Sequence, residues 1–361
     1  MRILFVNEGA YLPQLFGGVE TTTFDLSRQL ARMGHQSAVM CAIGKRDTIW
    51  LRNRIVGRLT GRQFPSERYR GTLVYRGYHH SRGLPEVVND FAPDALVIAS
   101  GSEESLELVA QCADTGIPSF YYFHNLALVR RLGDGRRLSG LTFLANSKYT
   151  AEKVKDLLDV DAAVVPPFVD AAAYRTTTSR RHVTMVNPRK VKGGHTALDM
   201  AAACPDIPFV FVEAWGTGDD FVAKLRVDSR RLANVTWHES TINMRAIYAT
   251  TRVLLVPSEW EETWGRVVTE GHACGIPALA SAIAGLPESV GPGGVLVTPG
   301  SAIESWVAAL RSMWDDPAYY EELCRRSREF SDRAEARPVE RAERFLSALG
   351  PRRAPAQPSA A

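Results

Sequence analysis

The chain has 361 residues, 45% of them apolar and 23% charged, with a formal net charge of +3. That length exceeds one ordinary core and suits two domains, and the near balance of charge excludes nucleic-acid binding by bulk electrostatics. The cysteines (Cys41, Cys112, Cys204, Cys274 and Cys324) are scattered without Cys-x-x-Cys or metal-ligand spacing, so they read as small buried hydrophobes in a reducing compartment. The opening Met1–Val6 run is too short for a signal peptide and no stretch suffices to cross a bilayer, which sets a cytoplasmic expectation.

Short β-branched runs alternate with helical patterns, the rhythm of a parallel sheet with crossover helices. The first strand is expected over Arg2–Asn7, followed by a helix carrying Val19, Thr23, Leu26, Leu30 and Met33 on one face and ended by Gly34. Further strands are expected at Ser37–Ile43, Leu73–Gly77, Ala95–Ser100, Ser119–His124, Thr142–Asn146 and Ala163–Val165. Between Lys45 and Arg82 stand ten basic and two acidic residues. Arg54, Arg58 and Arg62 fall among Leu51, Ile55 and Leu59 on a helical projection, so the segment reads as a solvated loop or anion-facing rim rather than a membrane-surface helix.

Ala171–Arg180 is small, polar and unpatterned, and reads as a linker. The same grammar then resumes, with strands expected at His182–Asn187, Phe209–Glu213, Val235–His238, Val253–Pro257, Pro277–Ala280 and Val295–Thr298. Ser301 and Glu304 form a capping-box pattern before the next helix, and the helical region Pro317–Leu349 breaks near Pro338. The expected division is 1–172 and 173–349, the last helix packing back on the first domain, with a disordered tail over 350–361. Both halves read as doubly wound α/β domains, a fold class that binds ligands at the carboxyl ends of its strands.

The most informative segment runs from Pro257 to Pro277, where a buried strand ends, an acidic loop follows, and a helix begins near Gly265. Free N–H groups at that helix start bind oxygen acceptors, and Gly265 admits a ligand close to the backbone. Glu262 and Glu270 are eight positions apart, about two helical turns, which places one carboxylate at the loop tip and the other further along the same side. Such a pair serves either two hydroxyl-bearing parts of one ligand or simply the helix dipole. A second constellation, Asn187-Pro188-Arg189-Lys190-Val191-Lys192-Gly193-Gly194, sets three cations within four residues at a strand end. A solvated basic turn and a diphosphate cradle both fit it. Phe16-Gly17-Gly18-Val19-Glu20 is a tight strand-to-helix turn without the Gly-x-Gly-x-x-Gly dinucleotide pattern, and His124 closes a strand. Asp159-Val160-Asp161 follows an exposed helix, reads as surface, and implies no metal.

Taken together these segments resemble the family 4 glycosyltransferases, retaining enzymes built from two Rossmann-like domains facing across a cleft. The Pro257–Pro277 segment is similar to that family's Glu-x7-Glu signature, and Ala284-Gly285-Leu286-Pro287-Glu288 stands where the family carries Gly-Gly-x-Pro-Glu. The likeness extends over nearly the whole chain, strongest from Val183 to Val297 and weakest from Gly44 to Gly83. Departures are Trp264 for the usual Phe, Gly271-His272 for Ala-Met, and Ala284 for Gly.

The resemblance implies that Glu262 contacts the transferred sugar and Glu270 the donor ribose. It implies further that Lys192 and Arg189 (with Lys190 as rival) hold the donor diphosphate beside Trp264, Gly265, Arg266 and Val267. Gly17 and Gly18 become the glycine loop, and His124 the histidine beside the donor sugar. The implied chemistry is transfer with retention, without a metal or cofactor, from a nucleoside-diphosphate sugar to a hydroxyl acceptor, with positive groups stabilising charge on the leaving diphosphate. A nucleotide-sugar epimerase, a sugar phosphorylase or a non-catalytic sugar-nucleotide-binding protein are the alternatives. The base, sugar, acceptor and oligomeric state are not encoded in these motifs.

Overall fold

A computed structural model describes residues 1–99, 105–132, 138–213 and 219–350. The tail expected to be disordered lies, from residue 351, outside the described residues. Two compact units emerge: Met1–Asn146 with Thr150–Phe168 and the chain from Arg341 onward, and Val169–Glu340 with Ser147–Tyr149.

The first unit holds β1 (Arg2–Ala10), β2 (Gln36–Ala42), β3 (Ser66–Tyr69), β4 (Thr72–Gly77), β5 (Ala95–Ile98), β6 (Ser119–Phe123), β7 (Thr142–Ala145) and β8 (Ala162–Val164) in the order β3-β4-β2-β1-β5-β6-β7-β8. All pairings are parallel except β3 with β4. The order reverses between β1 and β5, where Val6 pairs with Ile98. Its core gathers Ile3, Phe5, Val39, Val97 and Leu144. The final helix, Pro338–Leu349, contributes Phe345 and Leu349 to the same core, with Phe345 stacked on Phe5 at 6.0 Å. Burying a side chain of that size stabilises by about 1.5–3 kcal/mol, so the C-terminal helix is a structural part of the first unit.

The second unit holds β9 (His182–Val186), β10 (Phe209–Val212), β11 (Val235–His238), β12 (Thr251–Val256), β13 (Ala278–Ser281) and β14 (Gly294–Val297), all parallel, in the order β11-β10-β9-β12-β13-β14. Alternate residues of β12 serve opposite faces: Val253 and Leu255 join one core cluster, Leu254 and Val256 the other. A strand buried on both faces reads as a continuous apolar run, which is how Val253–Val256 reads. The connections after β9 and β12 leave adjacent strands in opposite directions, so the crevice at their carboxyl ends is the sheet's switch point. Both units are thus doubly wound α/β domains.

Three local expectations are corrected. The Lys45–Arg82 segment is not a loop. Asp47 caps a helix over Thr48–Thr60 by accepting the Trp50 N–H at 3.0 Å, and Gly61 ends it in the left-handed conformation. The hairpin of β3 and β4 follows, turning at Arg70-Gly71. Ser301 does not cap the next helix. A turn from Thr298 to Ser301 leaves Ala302 at the cap of Ile303–Asp315 without a side-chain hydrogen bond. Glu262 lies in the loop before the helix Arg266–Ala273, as expected, but because that helix starts after it, a helical-turn spacing does not relate it to Glu270. Asp159 and Asp161 are exposed after the helix Lys148–Leu158 and pair with Lys155 at 3.0 and 3.4 Å.

Candidate active site

The switch point of the second sheet brings three loops together. The loop after β9 forms a single 3-10 turn over Lys190–Lys192, and the carbonyl of its middle residue, Val191, accepts N–H groups of Glu259 and Trp260 from the loop after β12 at 3.0 and 2.9 Å. Gly193 has a positive φ of 77°, and a Cβ there would stand 2.0 Å from the Pro257 carbonyl oxygen. A side chain at Gly194 would lie 2.3 Å from the Pro188 oxygen. Only glycine lets these two loops close on each other.

That closure carries chemistry. Lys192 Nζ donates to both carboxylate oxygens of Glu262, at 2.6 Å to Oε1. The backbone oxygen of Glu262 accepts the Gly285 N–H at 2.8 Å, and a Cβ on Gly285 would approach the Thr263 oxygen to 2.0 Å. The loop after β13 therefore fixes the height of the acidic loop. Arg189 lies against Asp219 at 3.4 Å, whereas Lys190 is exposed. Of the three loop cations, Lys192 is the one brought to a signature carboxylate.

Gly265, in the left-handed conformation, is the N-cap of the helix Arg266–Ala273, and a Cβ there would meet Leu286 at 2.5 Å. The glycine cap offers no side chain, so the N–H groups of Arg266 and Val267 open the first turn. Trp264 is buried and donates its indole N–H to Thr269 at 2.9 Å, a structural use of the ring. Glu270 is also buried. It accepts the Tyr248 hydroxyl at 2.7 Å and Arg266 Nε at 2.8 Å, and Arg266 reaches the Tyr174 hydroxyl at 3.0 Å. The two tyrosines give no motif-level signal, since Tyr248 and Tyr174 lie 22 and 92 residues from their partners. His272, the departure from Ala-Met, is buried with its ring nitrogens 3.0 Å from the carbonyls of Ile276 and Val290, a packing role.

The first unit has its own candidate edge. Gly17 caps the helix Gly18–Arg32 in extended conformation, and Glu20 folds back over it, its carboxylate oxygen 2.3 Å from where a Gly17 Cβ would stand. Burial pushes the Glu20 carboxyl up to about 7, against the opposing pull of the nearby backbone at Glu20 and Gly17. Gly18 has open space around it. His124 ends the run after β6 with its ring 4.0 Å from that of Tyr122, and burial lowers its pKa to about 3, so the imidazole is neutral. Asn7 and Tyr11, given no site role from the sequence, bury their side-chain polar atoms without a hydrogen-bond partner among the described residues. Arg76, fully buried, donates to the carbonyls of Tyr11 (3.3 Å) and Leu12 and is neutralised by Glu67 at 2.6 Å, which fixes the loop leading to Gly17. No helix among the described residues is long and apolar enough to cross a membrane.

Comparison with known proteins adds the family. A model described as glycosyl transferases group 1 matches residues 179–331, and one described as glycosyltransferase family 4 matches residues 16–173. A D-inositol 3-phosphate glycosyltransferase of Arthrobacter sp. strain FB24 is 24% identical over 245 residues, covering 56% of this chain and 58% of that one. One from Mycolicibacterium paratuberculosis is 32% identical over 136 residues, 36% of this chain and 30% of its own length. The chain thus spans less than two thirds of the length of the curated relatives it matches. Among solved structures, Anabaena HepE in complex with UDP-glucose superposes with a TM-score of 0.74 at 18% identity, covering 96% of this chain and all (100%) of that one. A glycosyltransferase from Rickettsia africae gives 0.73 at 13% identity over 96% of this chain and 97% of its own. At such identities these two establish shared fold.

Proposed function

Because this chain belongs to the family 4 glycosyltransferases, we propose that it moves a hexose-type sugar from a nucleoside-diphosphate donor to a hydroxyl-bearing acceptor, with retention and without a metal. The carrying observation is the contact of Lys192 with Glu262 at the switch point, made by loops that only glycine allows to close. In this reading Lys192 exchanges its carboxylate partner for the donor diphosphate. Its ammonium and the N–H groups of Arg266 and Val267 then stabilise negative charge as the sugar–phosphate bond breaks. Glu262, released from Lys192, accepts hydroxyls of the transferred sugar. Glu270, oriented by Tyr248 and Arg266, binds the ribose hydroxyls. Arg189, which lies against Asp219, is the second cation. Gly17, Gly18 and neutral His124 are the first unit's ligand-facing groups.

The UDP-glucose complex of the Anabaena neighbour makes uridine diphosphate sugars the first donors to test. The names of the relatives make D-inositol 3-phosphate the first acceptor. Release of nucleoside diphosphate from a donor panel, with and without acceptor, measures the activity. Lys192→Ala should slow turnover by about 10²–10³-fold, the loss expected on removing one preorganised charge-stabilising donor. Wild-type turnover in that variant removes Lys192 from the mechanism.

A further inference from the structure

A cationic depression of about 650 Å³ lies in the first unit, lined by the residues that begin β1, β2 and β4: Arg2, Gln36 and Thr72. It is at the amino ends of the parallel strands. The glycine loop leaves the opposite end of β1, about 30 Å away for a nine-residue strand.

Four arginines line it, Arg2, Arg28, Arg68 and Arg70, against one acidic residue, Asp90. That carboxylate is already committed. It pairs with Arg62 at 2.9 Å and accepts the Tyr75 hydroxyl at 2.7 Å. Arg2 spends its N–H groups on the carbonyls of Phe91 and Ala92 and on Gln36. Arg28, Arg68 and Arg70 make no ion pair with a carboxylate among the described residues. Their contacts are the faces of Phe24 and Tyr69, at 5.7 Å each for Arg28 and Arg70, and the Gly71 carbonyl at 3.0 Å for Arg68. Like charges so gathered repel, and water screens them only in part.

The independent observation is Ser27. It lines the same depression, is 3% exposed, and its hydroxyl has no hydrogen-bond partner among the described residues. A buried hydroxyl left unpaired costs about 1–3 kcal/mol, and such groups ordinarily find a partner. A depression with a surplus of forked cations and a buried donor wants a multivalent oxyanion. The volume falls within the roughly 300–1,000 Å³ range of small-molecule sites.

We infer that the first unit carries, apart from the proposed donor site, a binding site for a phosphorylated ligand, in which Arg28, Arg68 and Arg70 bind phosphate oxygens and Ser27 donates the buried hydrogen bond. Guanidinium forks suit phosphate through paired, charge-assisted hydrogen bonds. Ser27 and Arg28 lie on the helix that starts at Gly18, about 15 Å along it from the glycine loop, so one rigid element carries both ends. The phosphate belongs either to a diffusible phosphorylated molecule or to an anionic lipid headgroup.

Inorganic pyrophosphate titrated calorimetrically into full-length Lys192→Ala probes this site with the proposed donor site weakened. Binding is expected, to fall at least about 30-fold when Arg28→Gln, Arg68→Gln and Arg70→Gln are added, and about 5-fold with Ser27→Ala alone. The substituted arginines are exposed, so melting temperatures should stay within about 2 °C. Sedimentation with phosphatidylglycerol–phosphatidylcholine vesicles, but not with phosphatidylcholine alone, lost in the triple variant, assigns the phosphate to a lipid headgroup. Pyrophosphate binding without vesicle capture assigns it to a diffusible molecule. Absence of both, or affinities untouched by the three substitutions, overturns the site. Because the background already lacks Lys192, that failure leaves the donor-site reading standing.

Discussion

The carboxyl edges of the two sheets are built in opposite ways. In the second unit the loops after β9, β12 and β13 are closed on one another, with Gly193, Gly194 and Gly285 each filling a space where a Cβ would strike backbone at 2.0–2.3 Å. Polar side chains there are already paired, Lys192 with Glu262 and Arg266 with Glu270. In the first unit the glycine loop stands open around Gly18, and Asn7 and Tyr11 keep buried polar atoms unpaired among the described residues. A paired edge holds its polar groups in place before any ligand arrives. An unpaired edge satisfies its groups only with a ligand or with water.

The contrast is sharpest in its glycines. Gly193→Ala combines a left-handed backbone with a clash against the Pro257 carbonyl and should cost about 3 kcal/mol in denaturant unfolding. A loss under about 1 kcal/mol would show that the loop after β12 yields easily and that closure is not demanded.

A pH measurement probes the open edge. The folded-state pKa of Glu20 is raised by burial to about 7, above the value near 4.5 of a free glutamate. The folded chain therefore holds this proton more tightly than the unfolded one. The stability it contributes is complete below about pH 4.5 and is lost as pH rises through 7. Between pH 5 and 8 the wild type should lose on the order of 2 kcal/mol relative to Glu20→Gln. Equal pH profiles in the two proteins would place Glu20 in water rather than in the helix start. The smallest effect is expected at Gly18, where Ala should alter stability by less than about 0.5 kcal/mol because nothing lies within 4 Å of its Cβ. A larger loss there would erase the distinction between the edges.

The sequence was most readable where structure and chemistry are local. The strands expected on apolar runs are all present, because a parallel strand buried on both faces writes itself as an unbroken stretch such as Val253–Val256. The cation turn and the acidic loop stood out because each is contiguous. The resemblance brought both to one donor, but their direct meeting, Lys192 on Glu262 across 70 residues, had no signal in the sequence. The helix Thr48–Thr60 was misread because none of its residues is buried, which leaves no clean apolar face. Its Asp47 and Gly61 caps were the usable signal. The short edge strand Ser66–Tyr69 alternates half-buried and exposed positions and resembles a turn as much as a strand. Tyr174 and Tyr248 were invisible because contacts across the fold leave no periodicity.

The central claim is that the Lys192–Glu262 pair is a diphosphate site held closed by its own carboxylate until a donor arrives. Calorimetric titration of UDP into the wild-type chain and Lys192→Ala tests it most directly. The account expects binding by the wild type and at least about tenfold weaker binding by the variant. Equal affinity in both proteins, or no heat with the wild type under conditions where it turns over a uridine donor, contradicts it.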